Sequence, residues 1–172
     1  MAELNDAMRD TESDSGSAIL LTPEGYKALH EELEHLTLVK RPEIADRIRE
    51  SQEHGEFSED NSELDEVKFE QAMVESRIAE LKTIFGSAQI LTSAAIPTDI
   101  AGVGSRVKLK DLDMAEEFEV RLVSGVEADP SKDHVSVDSP MGVALLGRKA
   151  GETVEVSAPD GLKKYKLVSI RK

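Results

Sequence analysis

Cysteine is absent from the 172-residue chain, which excludes disulfides and thiolate metal sites. Tryptophan is absent too, and aromatics make up 3% of the residues, so any core must rest on Leu, Ile, Val and Ala. Basic residues are scarce beside acidic ones: 21 Lys and Arg face 35 Asp and Glu, a net charge of −14. A protein that wraps nucleic acid through its phosphates needs the opposite balance. An excess of carboxylate favours a basic protein surface or a metal-rich site as its partner. No apolar run approaches the roughly 20 residues of a membrane span. The opening MAELNDAMRDTESDSGS has neither the basic n-region nor the apolar h-region of a secretory signal. Residues 1–18 read as a disordered acidic extension, and the chain as a cytoplasmic protein without a membrane role.

What is present is concentrated. Residues 50–66, ESQEHGEFSEDNSELDE, hold eight carboxylates and no lysine or arginine. They lie between two stretches of helical apolar spacing. In the first, Thr22 is a candidate N-cap with Pro23 at the first helical position. Tyr26, Leu29, Leu33 and Leu36 follow at steps of three and four, and Ile44 and Ile48 extend the stripe beyond Pro42. An interior proline removes a hydrogen bond, so a bend or restart is expected there. In the second stretch, Leu64, Val67, Gln71, Val74, Ile78, Leu81 and Phe85 form a heptad seam ending at Gly86-Ser87. Two such arms joined by a short turn pack antiparallel and carry the turn to the far end of a rod.

Ala88–Leu91 is a short strand candidate, followed by a polar, proline-containing linker. After Gly104 the period changes to two, with alternation over residues 106–110, 118–123, 134–137, 153–156 and 164–168. Val143–Gly147 reads as a short helix. The second half is thus expected to be an antiparallel sheet with one short helix on it. Several other sites are excluded by spacing. No Asp-led loop has the glycine of a calcium hand, Gly102-Val103-Gly104 lacks the third glycine of a dinucleotide loop, and His30, His35 and His134 show no metal-ligand spacing.

Four pieces of sequence carry a resemblance. They are Leu21-Thr22-Pro23-Glu24-Gly25-Tyr26 with Leu29 and Glu31-Glu32-Leu33; Arg41-Pro42-Glu43-Ile44; Glu53-His54-Gly55-Glu56-Phe57-Ser58-Glu59; and Ser139-Pro140-Met141-Gly142 with Ala144-Leu145-Leu146-Gly147-Arg148. In their order and spacing, from about Leu20 to Lys172, the chain resembles the Gre family of bacterial transcript-cleavage factors. The resemblance implies an α+β protein: an antiparallel α-helical coiled-coil hairpin over residues 19–91, a linker at 92–101, and an FKBP-like β-sheet domain with one short helix over 102–172. It implies a factor that is not itself an enzyme. Such a factor binds bacterial RNA polymerase at the rim of its secondary channel and passes the hairpin to the catalytic centre, where tip acids help hold a second Mg²⁺. The polymerase then cuts the 3′ end of backtracked nascent RNA.

Carried over residue by residue, Glu56 and Glu59 match the two tip acids, and Gly55, Phe57 and Asn61 match the support around them. The tip departs from the usual family pattern in three ways. Glu56 stands for an Asp, one residue is extra (most economically Asp60), and Leu64 stands for a Tyr. Asp60 is therefore the alternative to Glu59 as second working acid. Ser139, Pro140, Met141 and Gly142 are candidates for the polymerase-facing surface, with Ser139-Pro140 otherwise a structural turn before the short helix. Lys40, Arg41 and Arg47 are candidates for contact with RNA or the channel wall, and otherwise partners of nearby Glu. No stably bound cofactor is expected, only Mg²⁺ shared with the polymerase, and the free protein is expected to be a monomer. On composition alone the tip acids read as a solvated turn. Three other functions compete: a channel-occupying inhibitor that does not stimulate cleavage, an FKBP-type prolyl isomerase or chaperone, and a plain coiled-coil adaptor. Phe118 and Tyr165 are the only aromatics after residue 101, which disfavours an aromatic proline pocket.

Overall fold

The computed structural model describes residues 18–53, the backbone of His54, and residues 62–172. The acidic extension through residue 17 lies outside this range, as do Gly55, Glu56, Phe57, Glu59, Asp60 and Asn61.

The chain opens with strand β1 (Ile19–Leu21), then helix α1 (Pro23–His35), a wide π turn (Leu36–Lys40) and helix α2 (Arg41–His54). Thr22 caps α1, its hydroxyl accepting from the Gly25 N–H at 3.0 Å, with Pro23 in the first turn where no N–H is needed. The backbone stays helical across Pro42: the π turn lies just before it, and regular α-helix resumes at Arg41. Leu36 and Ile44, both facing the partner arm, are eight residues apart where a heptad allows seven. The π turn absorbs the extra residue, and the Arg41 N–H reaches back five residues to the Leu36 carbonyl. Leu38, two residues from Leu36 and so on the face away from the seam, is 70% exposed.

Helix α3 (Ser62–Ser87) runs back along this arm. Val67, Ile78 and Leu81 of the expected seam are buried against it, and so is Ile84, while Gln71 is exposed. Gly86 does not take the left-handed conformation of a helix stop; α3 stays helical through Ser87 and passes directly into strand β2 (Ala88–Ile90). β2 pairs in parallel with β1, a strand that the apolar run Ile19-Leu20-Leu21 did not by itself announce. This two-stranded clasp ties both ends of the hairpin together at its base. A cluster of Leu21, Leu29, Leu81 and Ile84, flanked by Tyr26 and Phe85 with rings edge to face at 5.2 Å, packs beneath it.

The remainder is a five-stranded sheet in the order β5-β4-β3-β7-β6, formed by β3 (Arg106–Asp111), β4 (Glu117–Val123), β5 (His134–Ser136), β6 (Thr153–Ala158) and β7 (Gly161–Arg171). Three pairings are antiparallel as expected, but β5 lies parallel to β4. The connection between them folds into two 3₁₀ turns at Gly125–Glu127 and Pro130–Lys132 and brings the chain back alongside Arg121, so that β5 pairs with the last three residues of β4. Helix α4 (Pro140–Leu145) covers one face. Its Leu145 joins Val107, Leu109, Val120, Leu122, Val154, Val156, Tyr165 and Leu167 in the core. Burial alternates along β3 and β6, as one wetted face demands. It does not alternate along β4, where Val120, Arg121, Leu122 and Val123 are all buried, because the hairpin base covers part of the other face. Before β3, Ile96 and Ala101 are buried, so the link between the halves is anchored by apolar side chains.

Candidate functional site at the end of the hairpin

Charge is distributed unevenly along the hairpin. Near the base, Arg77 of α3 grips Glu32 of α1 with two hydrogen bonds at 2.7 and 2.9 Å and also reaches Glu80. Midway, Arg41 of α2 forms a two-pronged pair with Glu75 of α3, both contacts at 2.7 Å, and Arg47 meets Glu70 at 2.5 Å. The hydrogen bonds that Arg41 and Arg77 donate to these carboxylates hold the two guanidiniums above, and the Glu75 carboxyl below, their ordinary pKa values. These rungs set the register of the arms. Lys40 pairs with Glu43 along its own helix. The three cations singled out in the sequence are thus engaged with carboxylates of the hairpin itself.

Beyond Arg49 on α2 and Lys68 on α3, no Lys or Arg remains before the arms meet the tip segment. The last turns of α2 carry Glu50 and Glu53, and the first turn of α3 carries Glu63, Asp65 and, just after, Glu66; all five are exposed. For α3 this placement is favourable, since acids at a helix N-terminus meet its positive dipole end. For α2 it is the reverse. Glu50 and Glu53 stand near a C-terminus, where stability prefers cations. Helix stability therefore favours the acids of α3 but not those of α2. The described segments of the first arm have 13, 5 and 14 residues, about 48 Å at 1.5 Å per residue. Among the described residues, no three His, Asp or Glu side chains come together in a group that could hold a metal ion.

In the other half, the Ser139 hydroxyl accepts from the Gly142 N–H at 3.1 Å and donates to the Ser136 carbonyl at 2.6 Å, capping α4. Met141 packs on the core and Gly142 is buried, so of the four residues only Pro140 is exposed. Phe118 and Tyr165 stack edge to face at 5.6 Å. Tyr165 is buried in the core, so the pair does not form the aromatic pocket a prolyl isomerase would need.

The sequence reading missed the junction between the halves. Both the Thr22 N–H and the Thr22 hydroxyl donate to the Glu127 carboxylate, at 2.9 and 2.6 Å, across 105 residues of chain. The Arg121 side chain, also buried, reaches Glu24 at 3.3 Å. The carboxyl of Glu24 is held below its usual value, first by a backbone hydrogen bond and then by Arg121. Thr22 was legible as a cap, but no local pattern marks Glu127 as its partner.

The described residues form a protein of one class: a charged helical hairpin, acidic toward its far end, mounted on a small sheet domain. Residues 19–90 match the family described as transcription elongation factor, N-terminal, and residues 96–172 match transcription elongation factor, GreA/GreB, C-terminal. The chain is 46% identical to transcription elongation factor GreA of Acetivibrio thermocellus, over 90% of its own length and 96% of that protein's. It is 48% identical to GreA of Clostridioides difficile, over 89% and 96%. The crystal structure of GreA factor homolog 1 of Thermus thermophilus is 32% identical over 90% of this chain and 99% of its own, with a TM-score of 0.43. The chain belongs to the GreA/GreB family of transcription elongation factors.

Proposed function

We propose that the sheet domain docks on bacterial RNA polymerase at the rim of the secondary channel, and that the hairpin enters the channel and brings its acidic end to the catalytic centre. As a member of its family the chain is a transcription elongation factor that stimulates RNA cleavage by the polymerase and is not itself the enzyme. The observation that carries the channel reading is the acidic end of α2. Glu50 and Glu53 sit where helix stability disfavours them, about 48 Å along the arm, with no cation beyond them.

Carboxylate oxygens suit Mg²⁺, and one or two are enough to complete a coordination shell shared with another protein. A second ion at the polymerase centre supplies charge that stabilises the leaving oxygen and activates water. In this reading Glu56 and Glu59 orient that ion and the water, with Asp60 as the alternative to Glu59. Gly55, Phe57 and Asn61 support them, Pro140 and its neighbours face the polymerase, and Lys40, Arg41 and Arg47 lie along the channel wall or RNA. The factor works as a monomer and contacts the nascent RNA 3′ end only inside the elongation complex.

The test adds purified protein to a backtracked elongation complex with Mg²⁺ and follows RNA length. The parent shortens the RNA. Glu56→Ala and Glu59→Ala each lower the cleavage rate by about 10²-fold or more while competing for the polymerase as well as the parent does. Asp60→Ala then decides between Glu59 and Asp60. If the parent occupies the polymerase without shortening the RNA, it is an inhibitor and the proposal fails. If both Glu variants cleave at the parent's rate, the assigned roles fail.

A further inference from the structure

A rod can deliver its tip to one point only if its base is held at one angle. The base of this hairpin meets the sheet domain at a buried polar contact. Glu127, at the end of the 3₁₀ turn after β4, directs its carboxylate at the first turn of α1. One oxygen accepts from the Thr22 N–H and the other from the Thr22 hydroxyl, which itself accepts from the Gly25 N–H. Thr22 is 1% exposed and Glu127 is 9% exposed. Gly25 leaves the room for this approach, because a Cβ there would overlap the Glu127 carboxylate. The positive dipole end of α1 favours the carboxylate in this seat. Val126, next to it, packs on the apolar cluster of the hairpin, and Arg121 reaches Glu24 beside it. A buried carboxylate stripped of these donors would be costly, so Glu127 is either seated or out in water, with little between.

We propose that Glu127 is a positioning residue: seated on the N-terminus of α1, it fixes the angle at which the hairpin leaves the sheet domain and thereby aims the tip. The functional half of this inference rests on the channel reading above; the angular half does not.

Because the chain lacks cysteine, introduced pairs label uniquely. Spin labels at Gln52→Cys and Asp160→Cys, both exposed, report the angle as a distance distribution in the full-length protein. The parent is expected to give one narrow distribution. Glu127→Gln, whose amide can accept only one of the two Thr22 donors, and Gly25→Ala are expected to broaden or shift it, and Thr22→Ser to retain it. On backtracked complexes, Glu127→Gln and Gly25→Ala should lower the cleavage rate at saturating factor roughly tenfold, since misplacement is costly. Their half-saturating concentrations should stay within about threefold of the parent's. Thr22→Ser should cleave as the parent does.

Gly25→Ala separates aim from helix stability. Alanine is the better helix former, so a purely local role predicts undiminished cleavage. The atoms it displaces belong to the Glu127 side chain and not to the backbone, so the fold is expected to survive, which thermal melting checks. The inference is overturned if Glu127→Gln and Gly25→Ala keep the parent's distance distribution, or if they change it without slowing cleavage. Should the parent itself fail to stimulate cleavage, the channel reading falls, and the distance distributions still decide whether Glu127 sets the angle.

Discussion

Individual residues here do work that their type alone does not reveal, and the glycines show it most directly. Gly142 lies in α4 against the backbone of Ser136 and Val137, and an added Cβ would overlap the Ser136 carbonyl. Backbone cannot swing aside, so Gly142→Ala should destabilise the sheet domain by about 1–3 kcal/mol, read as a lower denaturation midpoint. Gly86 is the opposite case. It is helical, with nothing within 4 Å of its would-be Cβ, so Gly86→Ala should raise stability by roughly 0.5–1 kcal/mol. From sequence, Gly86 looked like a helix stop. That reading used local propensity, whereas the spatial neighbours, open space at Gly86 and the Ser136 backbone at Gly142, decide what each glycine does.

At the scale of elements, the apolar steps of three and four made both arms of the hairpin legible. Ile44 and Val67 are almost completely buried where the arms meet. Ile44→Ala should cost about 2–4 kcal/mol. Hydrogen exchange should show the loss as faster opening of α2 and the facing part of α3, with β3 and β7 still protected. The eight-residue step from Leu36 to Ile44 was also visible in the sequence, but its resolution was not. A kink, a break and a π turn all accommodate one extra residue and a proline. The packing of Ile44 against α3, together with the Arg41–Glu75 and Arg77–Glu32 rungs on either side of the turn, selects the one that keeps both segments on the seam. The direction of β5 was illegible for a similar reason. A three-residue strand reads the same either way, and only the folded loop before it sets its sense.

For the whole molecule the governing quantity is charge. With a net charge of −14, the protein repels itself at neutral pH, and the carboxylates held by cations offset part of that cost. Glu119 illustrates this: Arg171 donates to both its oxygens, at 2.8 and 2.9 Å, and holds its carboxyl below the usual 4.5. A folded-state pKa depressed below the unfolded value adds stability above pH 4.5, and that stability is lost as the pH falls through the folded value. Denaturant melts of the parent and Glu119→Gln should therefore differ at pH 6–7 and converge as the pH drops below about 4.5. A gap that persists at low pH would show that Glu119 acts through packing instead.

Composition and periodicity alone determined the acidic character, the two helical arms, the strands after residue 104 and the place of the carboxylate-rich segment between the arms. These depend on which residues lie within a few positions of one another, and sequence records that directly. Tertiary structure alone decided how the hairpin base is seated on the sheet, because Thr22 and Glu127 are 105 residues apart and neither carries a local mark of the other. A hydrogen bond to a buried carboxylate exists only once packing has removed the water that would otherwise hold it.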